Sequence, residues 1–252
     1  RRSVVNAVKM NKDVPALSDD IYESVFVVIP AYRAAGQVGD VIRGVRDVSP
    51  RLEVLVVDDG SGDRTAAEAE EAGAKVIVHE VNRGKWAALE TGFAEFLRSG
   101  RKAVITLDAD GQHSPTEIPA LIDVWLKRDA DIVIGTRRRQ VGNMPFIRII
   151  TNSIGSGLVS LVAGATIHDS QSGYRLYTRR VIENVEITTG GYEAESEILV
   201  KAVRLGYGVD SAPISTIYGD ETSHIHPLKL PVRFLGTIGK MIAWRFGRSG
   251  QR

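Results

Sequence analysis

The sequence predicts an α/β protein: a mostly parallel sheet flanked by helices, with a looser C-terminal half that faces the substrate. Three observations predict it. Short continuous apolar runs recur, as expected of strands buried on both faces. Stretches with helical spacing alternate with them, which is the pattern of parallel βαβ units. Polar clusters stand directly after the runs, at the carboxyl ends of the strands, where such sheets bind ligands.

The elements follow in order. The first 23 residues are polar and aperiodic and read as an extension, 1–23. Val25 to Ile29 is an apolar run ended by Pro30, so it reads as a buried strand. A helix is expected from about Gly36 to Val48, and a second strand from Leu52 to Val57. The alternation continues with a helix over 65–72, a strand over 75–79, a helix over 86–98 and a strand over 103–107. A helix over 115–127 and a strand over 131–135 complete it. Beyond Gly135 the spacing predicts helices over 147–161 and 194–205, with a polar segment, Asp169 to Arg175, between them. No linker divides the chain, so 24–226 reads as one domain. Residues 227–252 form a basic, amphipathic C-terminal segment.

Composition narrows the function. A chain of 252 residues with 43% hydrophobic and 25% charged residues is ordinary for a globular protein. Cysteine is absent, which removes thiolate metal sites and cysteine nucleophiles. A net charge of +1 gives no electrostatic case for nucleic acid. No secretory leader pattern is visible at the N-terminus, and a cytoplasmic location is expected. The apolar stretch 146–167 is interrupted by Arg148, Asn152 and several Gly and Ser, so it does not read as a spanning helix.

Four clusters carry chemistry. Asp108-Ala109-Asp110 follows a strand, and two carboxylates one residue apart can converge on a hard divalent cation, Mg2+ or Mn2+, with Gln112 adding an amide oxygen. Asp58-Asp59-Gly60-Ser61-Gly62-Asp63 reads as a turn into a helix; the turn does not account for two adjacent aspartates, because like charges repel. Asn82-Arg83-Gly84-Lys85 sets two cations near a helix N-terminus, which suits an anionic ligand. Arg137, first of three consecutive arginines after a strand, suits phosphate.

Together with Val28-Ile29-Pro30-Ala31-Tyr32 and Ser172-Gly173-Tyr174-Arg175, the first three of these clusters occur in an order that resembles family 2 glycosyltransferases of the GT-A fold. The dolichyl- or polyprenyl-phosphate mannose synthase branch is the most similar. The resemblance implies that an inverting transferase moves a hexose, mannose or glucose, from a GDP- or UDP-linked sugar to a lipid phosphate. It implies a nucleotide-sugar site of Pro30, Ala31, Tyr32, Asp58, Asp59, Lys85, Asp108, Ala109, Arg137 and Arg148, and a metal held by Asp108, Asp110 and Gln112. One departure is plain: Ala34-Ala35 stands where the family usually has acidic residues.

Catalysis would rest on Asp110 through the metal. A hydroxyl acceptor would also need a carboxylate base, for which Asp169, Glu193 and Glu195 are the candidates; the alternative reading is structural, Asp169 as a turn residue and the two glutamates as the acidic first turn of a helix. Pro231 to Arg248 either lies on the cytoplasmic face of a membrane as a basic amphipathic helix or packs on the core. Competing functions are a sugar nucleotidyltransferase and a non-catalytic nucleotide-sugar-binding module.

Overall fold

The structure, a computed structural model, describes residues 17–137 and 146–215. Its strands are β1 (Val25–Ala31), β2 (Glu53–Asp58), β3 (Lys75–Val78), β4 (Ala103–Thr106), β5 (Ile132–Arg137), β6 (Arg175–Thr178) and β7 (Val209–Ile214). They form one sheet in the order β3-β2-β1-β4-β6-β5-β7. All pairings are parallel except those of β6, which runs antiparallel to both β4 and β5.

Period-two alternation sends side chains to both faces of this sheet. Val25, Val27 and Ile29 of β1 enter one core, and Phe26 and Val28 enter the other. The first core is covered by α1 (Asp19–Glu23), α2 (Val38–Val48), α3 (Thr65–Glu71) and α5 (Ile118–Arg128). The second is covered by α4 (Lys85–Ser99), α6 (Phe146–Ala163), α7 (Arg179–Asn184) and α8 (Tyr192–Arg204). The predicted α/β class and mostly parallel sheet are therefore observed.

Several local expectations are corrected. Strand β1 does not stop before Pro30; it runs through it to Ala31, in register with Val57 and Asp58 of β2. Pro30 is tolerated because pairing with β4 has already ended at Val28, so no ladder donor is needed on that side. Helix α1 and strands β6 and β7 were not expected. Tyr22 of α1 is buried against the first core, with Leu17 and Ile21 beside it. The C-terminal segment, with its arginines and lysines, lies outside the described residues.

The reversed direction of β6 matters for function. It puts Arg175, the first residue of β6, opposite Thr106, the last of β4. The Ser172-Gly173 loop thereby arrives at the same sheet end as the loops after the parallel strands.

Helix α8 is anchored by a buried carboxylate. Glu197 accepts hydrogen bonds from the Thr188 and Thr189 backbones (2.8–3.2 Å) and hydroxyls, and pairs with Lys201 at 2.6 Å. Burial pushes this carboxyl up, but Lys201 and the threonine donors outweigh it and hold it down at about 2. A depressed carboxylate stabilises above its unfolded value and loses that contribution as pH falls through the folded one. Glu197→Gln is therefore expected to lower stability by about 2–3 kcal/mol at pH 7. The deficit should shrink between pH 4.5 and 2, as measured by urea unfolding across that range.

Candidate active site

The loops after β1 and β2 are locked to each other by the residues of the Asp-Asp-Gly-Ser cluster. Ser61 donates its hydroxyl and its backbone N–H (3.0 Å) to Asp58, and accepts the Arg33 N–H at 2.8 Å. Thr65 accepts the Ala34 N–H at 2.9 Å, and Asp63 holds Thr65 in turn. Tyr32 remains exposed, with the Arg33 guanidinium over its ring at 5.2 Å.

Asp59 faces the other way. It accepts the backbone N–H groups of Arg83 (3.0 and 3.1 Å) and Gly84 (2.6 Å), and contacts His79 Nδ1 at 2.7 Å. Adjacent carboxylates are tolerated here because each is held by different donors. Each is 2% exposed and each has its own set of donors, which is what buried carboxylates require. His79, expected only as a strand end, is the residue that the sequence did not flag here; its other ring nitrogen lies 2.9 Å from the Thr91 hydroxyl.

Anchoring of the 83–84 backbone fixes the start of α4 and delivers Lys85. Its ammonium lies 2.7 Å from Asp108 and 3.1 Å from Glu195. Three elements meet in that bridge: the start of α4, the loop after β4 and the first turn of α8. Burial pushes the Lys85 ammonium toward neutrality, but Asp108 and Glu195 more than offset it and hold its pKa far above the usual lysine value. Burial likewise pushes the Asp108 carboxyl up, and Lys85 outweighs that and holds it down. Both side chains keep partial exposure, 30% and 26%, so the pair is open to a ligand.

Ala109, Asp110 and Gln112 lie in the loop after β4, Asp169 in the loop before β6 and Glu193 in the first turn of α8. Ala109 is buried and Asp110 is half-buried, and an Asp110 oxygen accepts the Gln112 N–H at 3.0 Å. The Gln112 side chain is exposed. Asp169 is buried in the loop before β6, and one of its oxygens accepts the Gln171 N–H at 3.3 Å. Glu193 is half-buried one residue into α8. Of the three base candidates, Glu195 is thus committed to Lys85. Arg137 ends β5 and Arg148 lies in the first turn of α6, but their side chains, like Arg138, Arg139, His224 and His226, lie outside the described residues.

No group of three or more His, Cys, Asp or Glu side chains among the described residues is arranged to hold a metal. Asp108 and Asp110 supply two carboxylates, and further ligands would have to come from an amide, water or substrate. Nor is any helix among the described residues long and apolar enough to cross a membrane.

Comparison with known proteins gives a consistent picture. The model of "Glycosyl transferase family 2" matches residues 26–186, more than half of the chain. The polyprenol monophosphomannose synthase of Mycolicibacterium smegmatis is 31% identical over 75% of this chain and 76% of its own. The undecaprenyl-phosphate mannosyltransferase of Micrococcus luteus is 31% identical over 77% of this chain and 83% of its own. Among solved structures, glucosyl-3-phosphoglycerate synthase of Mycobacterium tuberculosis, in complex with Mn2+, uridine-diphosphate and glucosyl-3-phosphoglycerate, superposes with a TM-score of 0.67 at 20% identity, over 94% of this chain and 85% of the other. The sheet order, the clusters at its carboxyl end and these matches together show that the chain belongs to glycosyl transferase family 2.

Proposed function

We propose that this protein is an inverting hexosyltransferase that moves mannose or glucose from a nucleoside diphosphate sugar to a polyprenyl or dolichyl phosphate. The observation that carries the reading is the Lys85 bridge. It sets one ammonium between Asp108, on the nucleotide side, and Glu195, on the side of the C-terminal half. The lipid-phosphate relatives supply the acceptor class.

The donor set fits a divalent metal. The Asp108 carboxylate already takes a cation, in the form of the Lys85 ammonium, and hard dications complete their shells with phosphate oxygens and water. Asp108, Asp110 and Gln112 would hold Mg2+ or Mn2+. When bound, the metal neutralises charge developing on the departing diphosphate. Lys85 adds a fixed positive charge beside it, which needs no reorganisation during the reaction. Arg137 and Arg148 would contact phosphate. Asp58 and Asp59 act by holding the loops that flank Pro30, Ala31 and Tyr32, where the nucleoside binds.

An acceptor phosphate is already anionic, so attack needs no strong base. That agrees with Glu195 being ion-paired and Asp169 buried. Displacement in one step inverts the anomeric carbon. The C-terminal segment would meet the cytoplasmic face of the membrane that presents the acceptor.

A thermal-shift panel of GDP- and UDP-linked mannose and glucose, with and without Mn2+, tests the reading. A sugar nucleotide at about a hundred times its Kd stabilises the native state by about 2.7 kcal/mol. For a chain of this size that raises Tm by roughly 5–10 °C. The rise is expected for one base only, and only with the metal; no shift with any member of the panel would overturn the reading.

A further inference from the structure

We infer that Gly173 is a positioning residue: its missing side chain is the space in which the Asp108 carboxylate and the Lys85 ammonium lie. The inference rests on the proposed metal and diphosphate role of Asp108. A Cβ built on Gly173 would stand 2.6 Å from Asp108 Oδ2, 2.7 Å from Lys85 Nζ and 3.0 Å from Asp108 Oδ1. Those separations are about 1 Å shorter than an ordinary non-bonded contact, so any other residue here must push the pair aside.

The backbone cannot retreat instead. The Gly173 carbonyl accepts the Thr106 hydroxyl at 2.7 Å. Ser172 and Tyr174 on either side are fully buried, and Arg175 holds the Ser170 and Ser172 carbonyls at 2.7 Å each. Glycine is not needed for conformation, since φ at Gly173 lies outside the left-handed range. It is needed for room alone.

The atoms that would be struck decide the consequence. Both are side-chain tips with partial exposure, not backbone, so the added Cβ acts on the ion pair first and on the chain path second. Gly60 is the contrast: φ there is +73°, and a Cβ would meet the Val81 and Asn82 backbone at 2.7 and 2.8 Å. Alanine at 60 strains the fold, whereas alanine at 173 displaces the charges that would meet the metal and diphosphate. Displacements of about 1 Å in a reacting constellation cost up to ~10²-fold in rate.

The test is Gly173→Ala in the full chain, with Tm and the affinity for Mn2+ plus GDP and Mn2+ plus UDP measured by calorimetry. Tm is expected within about 2 °C of the parent, while Mn2+-supported nucleotide binding weakens about tenfold or more. Unchanged affinity would overturn the inference, and so would a fall in Tm as large as that of Gly60→Ala. If the parent chain binds neither nucleotide with Mn2+, it is the metal reading that fails. A crystal structure of Gly173→Ala then decides the positioning role: a displaced Asp108 carboxylate supports it, and one in its original place refutes it.

Discussion

Asp110→Ala is expected to reduce metal-dependent sugar transfer by about 10³-fold or more while the chain stays folded. The folding half of this expectation follows from the place of Asp110 in a half-buried turn that water can reach. The bond from the Gln112 N–H closes a half-buried turn, and Gln112 itself is exposed, so water can replace the lost acceptor. One such bond contributes about 1 kcal/mol. The catalytic half follows from charge. Asp108 has the Lys85 ammonium as an alternative partner, so on its own it offers the metal a contested carboxylate. Removing Asp110 leaves that contested group as the sole carboxylate of the pair. Initial rates of labelled hexose transfer to polyprenyl phosphate across a Mn2+ titration, with Tm measured alongside, separate the two halves. Near-normal turnover at saturating donor would end the metal assignment.

How much of this site was legible in the sequence depends on whether chemistry or tertiary context placed each residue. Strands β1, β2 and β4 announced themselves because both faces are buried, which forces unbroken apolar runs such as Val25 to Ile29. Strand β7 did not. Among the described residues it lies at the sheet edge, pairs only with β5 and contains Asp210 and Pro213, both acceptable on an edge. Strand β6 has four residues and begins with an arginine, the reverse of a buried-strand signal. Asp108 and Asp110 stand out in the sequence because two carboxylates at that spacing after a strand can converge on a hard cation, which is the basis of the metal role proposed for them. The partnership of Lys85 with Glu195 was not, because no spacing rule links residues 110 positions apart; the antiparallel entry of β6 and the packing of α8 bring them together. Asp58 and Asp59 carry a structural role that their pairing in the sequence does not show: they accept donors from Ser61, His79 and the Arg83-Gly84 backbone, contacts that only the folded loops bring together.

Arg175→Met is expected to destabilise the protein by about 3–5 kcal/mol, lowering Tm by roughly 10 °C or more, and to lose transfer activity with it. Arg175 is 0% exposed, and it uses its guanidinium as a clamp on backbone. Nε donates to the Ser172 carbonyl at 2.7 Å, and the two terminal nitrogens donate to Ser170 (2.7 Å) and Glu195 (2.6 Å) carbonyls, with the Tyr177 hydroxyl at 3.2 Å. Burial opposes its charge, but Tyr177, Glu195 and Asp169 more than offset that and keep it a cation. Methionine fills part of the volume and donates to none of the three carbonyls; those of Ser170 and Ser172 lose a buried donor, and that of Glu195, inside α8, loses its tie to the loop. Lysine should not rescue, because three donors on one nitrogen cannot reproduce a planar fork that spans two elements. The effect is predicted to be opposite in kind to that of Gly173→Ala. Position 175 joins the 170–172 loop to the backbone of α8, so its loss releases Gly173 and Glu195 together and is read first in Tm. A Cβ at position 173 meets the tips of Asp108 and Lys85 first and is read first in nucleotide affinity. Differential scanning calorimetry of Arg175→Met and Arg175→Lys checks this, and a Tm within about 2 °C of the parent for either would show that the loop and α8 hold their places without the clamp.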